Sequence, residues 1–184
     1  MPFEIQFLHA IQQFVFAHAL SVSTVIFLAR WCIFLNLPIA ILLLYSMQAH
    51  HRHAVLEAAW SAGLALLFTS LISYFVHRSR PFLATTDISL LIPPPFNTSF
   101  PSGHTATAFA IAAAFAFADL SAGIASFSVA FLVAFGRMAV GVHYPSDILG
   151  GMVVGLVSFA IVRVIHHALL RRDVVASAKK HAHE

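Results

Sequence analysis

The chain has 184 residues, 60% of them hydrophobic and 9% charged, a balance that excludes a soluble domain with a mixed polar surface and places the protein in a bilayer. Its formal net charge of +3 gives no reason to invoke a nucleic-acid partner, and its one cysteine, Cys32, excludes an internal disulfide. The length leaves room for a single domain, residues 1–184.

Residues 1–20 are apolar on one side but carry Glu4, Gln6, His9, Gln12, Gln13 and His18. The pattern predicts an amphipathic helix lying in the interface, or a spanning one, and no basic start marks a cleavable signal. At roughly 20 apolar residues per crossing, five further stretches are predicted to span: 29–47, 55–76, 103–118, 122–142 and 146–168. Turn signals at Ser121 to Gly123 and at Val142 to Pro145 are short enough to force antiparallel neighbours. The predicted fold is therefore all-α and integral to the membrane, an antiparallel bundle of five to six transmembrane helices. Stretch 103–118 would be about 24 Å long, short of a ~30 Å hydrocarbon core. Gly151 and Gly155, four apart, predict a close helix contact on the last span.

The longest break in hydrophobicity is 77–101, where Pro93-Pro94-Pro95 and Asn97-Thr98-Ser99 oppose a regular helix and predict a rigid, extended active-site loop. Arg163, Arg171, Arg172, Lys179 and Lys180 crowd the end of the chain, so the positive-inside rule puts the tail, 171–184, in the cytoplasm. That tail is expected to be disordered around His181 to His183. Counting back, loop 77–101 and residues 137–145 fall outside the cytoplasm, so the site faces the periplasm or cell exterior.

The polar groups on that side have phosphate chemistry. Pro101-Ser102-Gly103-His104 stands where a loop becomes a helix, so unpaired backbone N–H groups and the helix dipole face an anion there. A plain helix cap reads the same way. Arg80 precedes Pro81, and a guanidinium forms two charge-assisted bonds to a phosphate at once. Taken singly, Arg78 and Arg80 also suit interfacial anchoring. Arg137 stands in the uncharged run 127–142. His143 and Asp147 are four apart with Pro145 between them, so a first-turn carboxylate reaches back to an imidazole and frees its other nitrogen for attack.

Together these groups resemble the type 2 phosphatidic acid phosphatase (lipid phosphate phosphatase) superfamily, whose pattern is KxxxxxxRP, PSGH and SRxxxxxHxxxD. Arg80-Pro81, Pro101 to His104, and Arg137, His143 and Asp147 match it across residues 73–147. Two positions depart: Ser73 stands at the lysine and Gly136 at the serine before Arg137. The stretches Tyr74-Phe75 to Phe82, Leu91-Ile92-Pro93 and Ser99 to Ser102 are similar to the bacitracin-resistance type of undecaprenyl diphosphatase, in which the lysine position is also relaxed.

The resemblance implies that His143 is the nucleophile, Asp147 orients it, and His104 protonates the leaving group and later activates water. Arg80, Ser102, Gly103 and Arg137 would hold the phosphate, with Arg78 and His77 as further candidates to cover for Ser73. It implies no cofactor and no metal, a polyprenyl diphosphate or other phospholipid substrate within the lipid bilayer, and the bacterial cytoplasmic membrane as location. Other lipids of the same superfamily are phosphatidylglycerophosphate, phosphatidate and lipid A. From other classes, His50, His51, His53, His166 and His167 are dense enough on the inner side to suggest haem or metal binding, and a non-enzymatic lipid transporter is the remaining alternative.

Overall fold

The computed structural model describes residues 3–17, 21–46 and 48–181, with side chains to Arg171. The expected element ends at Leu20 and Met47, the side chains of Lys179 and Lys180, and residues 182–184 lie outside the described set. Among the described residues all regular structure is helical: α1 (Phe3–Ala17), α2 (Val22–Arg30), a 3-10 turn (Cys32–Leu35), α3 (Asn36–Tyr45), α4 (Ala49–Phe75), α5 (Pro81–Ala84), α6 (Gly103–Ala118), α7 (Leu120–Ala139) and α8 (Pro145–His181).

Among the described residues, α4, α7 and α8 up to Arg171 are long and apolar enough to cross a membrane, and α2 with α3 makes a fourth candidate bent by 62°. Helix α6 begins and ends where its sequence predicts, and its 16 residues leave it short of a full crossing. It is nevertheless the centre of the bundle, with α4, α7 and α8 packed around it and nine of its side chains buried. Gly151 and Gly155 make the α6–α8 approach possible, since a Cβ on them would lie 2.6 Å from the Ser102 carbonyl oxygen and 2.3 Å from that of Ala106.

Three expectations are corrected. The span predicted from Ala29 starts at Val22 and is broken after Arg30. Beside the break the Ala29 carbonyl accepts from the Arg137 guanidinium at 3.4 Å. Pro38 then falls in the first turn of α3, where a missing N–H costs no helical bond. The loop after α4 is not wholly extended, because Pro81 opens the single turn α5. Residue 181 is helical, since α8 runs on to His181, and the rest of the tail expected to be disordered, 182–184, lies outside the described residues.

The N-terminal helix α1 buries Ile5, Leu8, Gln12 and Val15, a stripe at helical spacing. Its 15 described residues are fewer than the roughly 20 of a crossing. Its Gln12 amide donates to the carbonyls of Ser89 (2.7 Å) and Ala139 (3.0 Å) and accepts from the Ser89 N–H at 2.9 Å, pinning α1 to the long loop and to the end of α7.

Candidate active site

The C-terminal ends of α4 and α7 and the N-terminal ends of α6 and α8 meet at one end of the bundle, under the loop joining α4 to α6. Pro145 starts α8, which puts Asp147 in its first turn, fully buried. Burial of a carboxylate is tolerated only where its lone pairs are filled. Oδ1 accepts from Arg78 Nη1 at 2.7 Å, and Oδ2 from the Tyr144 N–H at 2.8 Å and from the Ser99 hydroxyl. The Asp147 carbonyl accepts the Ser102 N–H at 3.1 Å. One residue thus joins the loop, the start of α6 and the start of α8.

His143, also buried, donates its Nδ1–H to the Ser99 carbonyl oxygen at 2.8 Å, while Asp147 Oδ2 lies 3.5 Å from the same nitrogen. The carbonyl therefore sets the tautomer and leaves Nε2 unprotonated, its lone pair met only by a long 3.5 Å bond from Arg80 Nη1. Burial pushes the imidazole pKa down to about 4; the bond with Asp147 opposes this and the charges of Arg137 and Arg80 add to it. At neutral pH the ring is therefore neutral and Nε2 carries no proton.

Arg80 is held rigidly. Its Nε donates to the Asn97 carbonyl at 3.0 Å, Nη1 to the Val142 carbonyl at 2.8 Å, and Nη2 to Asn97 Oδ1 at 2.6 Å and the Thr98 carbonyl at 3.0 Å. That leaves one of the five N–H bonds of a guanidinium, on Nη1, 3.5 Å from His143 Nε2. Burial lowers the Arg80 pKa and the Asp147 charge counteracts it.

Arg78 is committed elsewhere: Nη1 to Ser146 Oγ (2.6 Å) and Asp147, Nη2 to Glu4 Oε2 (2.6 Å), with its face over the Tyr144 ring at 4.2 Å. Burial pushes Glu4 up, but hydrogen bonds from Ser146 and the Arg78 cation outweigh it and hold the carboxyl below its ordinary value. His77 lines a separate cavity with Arg78, Arg80 and Asn97. Ser73 donates to the Phe100 carbonyl at 3.0 Å, so this position ties α4 to the loop.

Arg137 is 5% exposed and its Nε has no hydrogen-bond partner among the described residues. It lines a cavity of about 420 Å³ with His104, Arg30, Trp31, Phe34 and Pro93. His104 and Gly103 also stand at the end of a second, almost wholly apolar groove of about 460 Å³ that runs between α2–α3 and α4–α6 along Leu37, Ala58, Leu66 and Ile111. Arg80, Arg137, His104 and His143 lie close enough for their charges to act on one another. His143 and Ser102 are buried behind these cavities and not on their walls; the Ser102 oxygen accepts from Thr105 Oγ1 at 3.0 Å. Sequence reasoning missed Ser99, whose carbonyl and hydroxyl serve both His143 and Asp147, and Arg30. The signal for Arg30 was a lone guanidinium inside an apolar stretch, which is costly without a purpose.

At the opposite end Glu57 is buried against Arg163 (2.9 Å) and His166 (2.7 Å). Among the described residues no group of three or more His, Cys, Asp or Glu side chains is arranged to hold a metal ion.

The sequence profile of the PAP2 superfamily matches residues 54–171. Undecaprenyl-diphosphatase BcrC of Bacillus subtilis is 33% identical over 150 residues, 82% of this chain and 70% of that protein. A putative undecaprenyl-diphosphatase, YbjG of Escherichia coli, is 28% identical over 80% of this chain and 75% of its own length. The crystal structure of Aquifex aeolicus LpxE superposes with a TM-score of 0.69 at 23% identity, covering 88% of this chain and 95% of that one. The profile match covers more than half of the chain and the strongest of these identities extends across most of it, so this membrane protein belongs to the PAP2 superfamily and is a phosphatase.

Proposed function

We propose that the protein removes the terminal phosphate of undecaprenyl diphosphate, yielding undecaprenyl phosphate and inorganic phosphate. The observation that carries this reading is the continuity at His104 of an apolar groove with a cavity lined by cations. A polyprenyl tail needs the first and a phosphate headgroup the second. The likeness to undecaprenyl-diphosphatase BcrC supports the same substrate.

In the proposed mechanism His143 Nε2 attacks the terminal phosphorus in line, helped by a tautomer that leaves this nitrogen unprotonated. The bond from that phosphorus to the bridging oxygen breaks, and the electron pair goes to the lipid phosphate, which His104 protonates. The Arg80 N–H that makes only a long 3.5 Å bond to His143 Nε2, the Arg137 Nε that has no partner among the described residues and the N–H groups at the start of α6 stabilise the equatorial oxygens. His104 then takes a proton from water, which attacks the phosphohistidine and releases phosphate. Asp147 keeps Ser99, and through it His143, in place. Buried Arg137 joins the cation wall because the substrate brings the compensating charge.

The basic residues Arg163 and Arg171 at the far end of α8 support a site on the periplasmic or outer side of the cytoplasmic membrane. The test is phosphate release by purified protein from undecaprenyl diphosphate, phosphatidylglycerophosphate, phosphatidate and lipid A, with EDTA present. Preferred turnover of the diphosphate is expected; preference for any of the others overturns the substrate, and dependence on an added divalent ion overturns the cation-based mechanism.

A further inference from the structure

Arg30 ends α2 at the point where the span bends, and no motif of the site includes it. Its side chain is exposed and has no hydrogen-bond or ion-pair partner among the described residues. Only Arg30, Phe34 and His104 line both the apolar groove and the cationic cavity, so they form the boundary between the two. Phe34 is apolar and His104 has a role in proton transfer. Arg30 is the one permanent charge at that boundary.

Its placement is built into the packing. A Cβ on Gly136 would lie 2.6 Å from the Ala29 backbone nitrogen and 2.7 Å from the Leu28 carbonyl carbon, so the last turn of α2 sits against bare backbone of α7. Arg137 reinforces the contact through the Ala29 carbonyl. Arg30 is thereby held within electrostatic reach of Arg137 and His104. Gathering like charges in a low-dielectric site is unfavourable unless an anion with matching charge enters. Arg80 and Arg137 act electrostatically on His143, whereas Arg30 shares the cationic cavity with Arg137 and alone of the three also lines the apolar groove.

We propose that Arg30 binds the inner phosphate of a lipid diphosphate, the one that departs with the tail, and is the residue that favours diphosphate over monophosphate lipids. The inference rests on the diphosphatase reading above. When the bond between the terminal phosphorus and the bridging oxygen breaks, that oxygen becomes part of the inner phosphate, and Arg30 neutralises the charge arriving there. A lipid monophosphate leaves as an alcohol and offers Arg30 no second phosphate.

The experiment compares full-length wild type, Arg30→Ala and Arg30→Lys for kcat/KM on undecaprenyl diphosphate and on phosphatidate, and for inhibition by the product undecaprenyl phosphate. For Arg30→Ala, kcat/KM on the diphosphate should fall about 30-fold, the worth of a charge-assisted hydrogen bond. The product inhibition constant should rise by a similar factor, phosphatidate turnover should fall by much less than turnover of the diphosphate, the thermal midpoint should stay unchanged, and lysine should restore part of the loss. An equal loss on both lipids, or unaltered product inhibition, overturns the role of Arg30. A wild type that cleaves phosphatidate but not the diphosphate overturns the substrate reading itself, and is seen before any variant is made.

Discussion

The Nδ1–H of His143 is held by the carbonyl oxygen of Ser99 at 2.8 Å, closer than the 3.5 Å to the Asp147 carboxylate. Asp147 reaches the histidine both directly, at 3.5 Å, and through Ser99, whose hydroxyl donates to it. Ser99→Ala keeps the carbonyl and removes the tether, so kcat should fall about tenfold, the worth of roughly one hydrogen bond, with KM little changed. Asp147→Asn should do more harm, because the amide places a donor against one of the donors from Arg78, Tyr144 or Ser99. A Ser99→Ala loss as complete as that of Asp147→Asn would show that the tether, not the carbonyl, orients the ring.

Arg78 bonds Glu4 and Asp147 together, and its removal leaves a buried carboxylate without its cation. Arg78→Ala should lower thermal stability by about 3 kcal/mol, and Glu4→Gln, on the outer side of the same guanidinium, by about 1 kcal/mol or less. Thermal unfolding in detergent checks both. A raised KM with unaltered stability in Arg78→Ala would assign this arginine to the phosphate instead.

The depressed pKa of His143 has a signed consequence. Between the ordinary value of 6.5 and about 4, an unfolded chain binds a proton that the folded site refuses, so this residue's contribution to stability falls as pH drops through that window. Wild type should therefore lose stability relative to His143→Gln between those values. The acid limb of kcat/KM assigned to the nucleophile should lie near 4 and not near 6.5. A limb at 6.5 that persists in variants of every other histidine would contradict the buried, neutral imidazole.

Much of this site was legible because spacing along a helix or across a tight turn converts directly into geometry. The Pro101 to His104 run marks the start of α6, and Asp119 caps the next helix through the Ala122 N–H at 2.8 Å, so both ends of that element were visible. His143 and Asp147 were visible for the same reason. The bend after Arg30 was not, because the groups packed against it, Gly136 and Arg137, lie more than a hundred residues away in sequence. Pro38 was the one local hint that a new helix begins there. Glu4 and Gln12 read only as interruptions of an apolar face; their partners Arg78, Ser146 and Ser89 come from distant loop and helix ends.

Sidedness is checked by single thiols at Thr86→Cys and Ser177→Cys after the buried Cys32 is replaced. An impermeant reagent added to intact cells should label position 86, in the loop over the site, and leave 177 unlabelled. Labelling of 177 alone would invert the topology and place phosphate release in the cytoplasm.

The most direct test of the central claim is to trap the covalent intermediate with undecaprenyl diphosphate labelled in its terminal phosphate, quench, and map the label. The label should sit on His143, survive alkali, be lost in acid, and be absent from His143→Ala, whose turnover should fall to background with its fold retained. Label on a serine or a carboxylate, or full turnover by His143→Ala, would contradict the account.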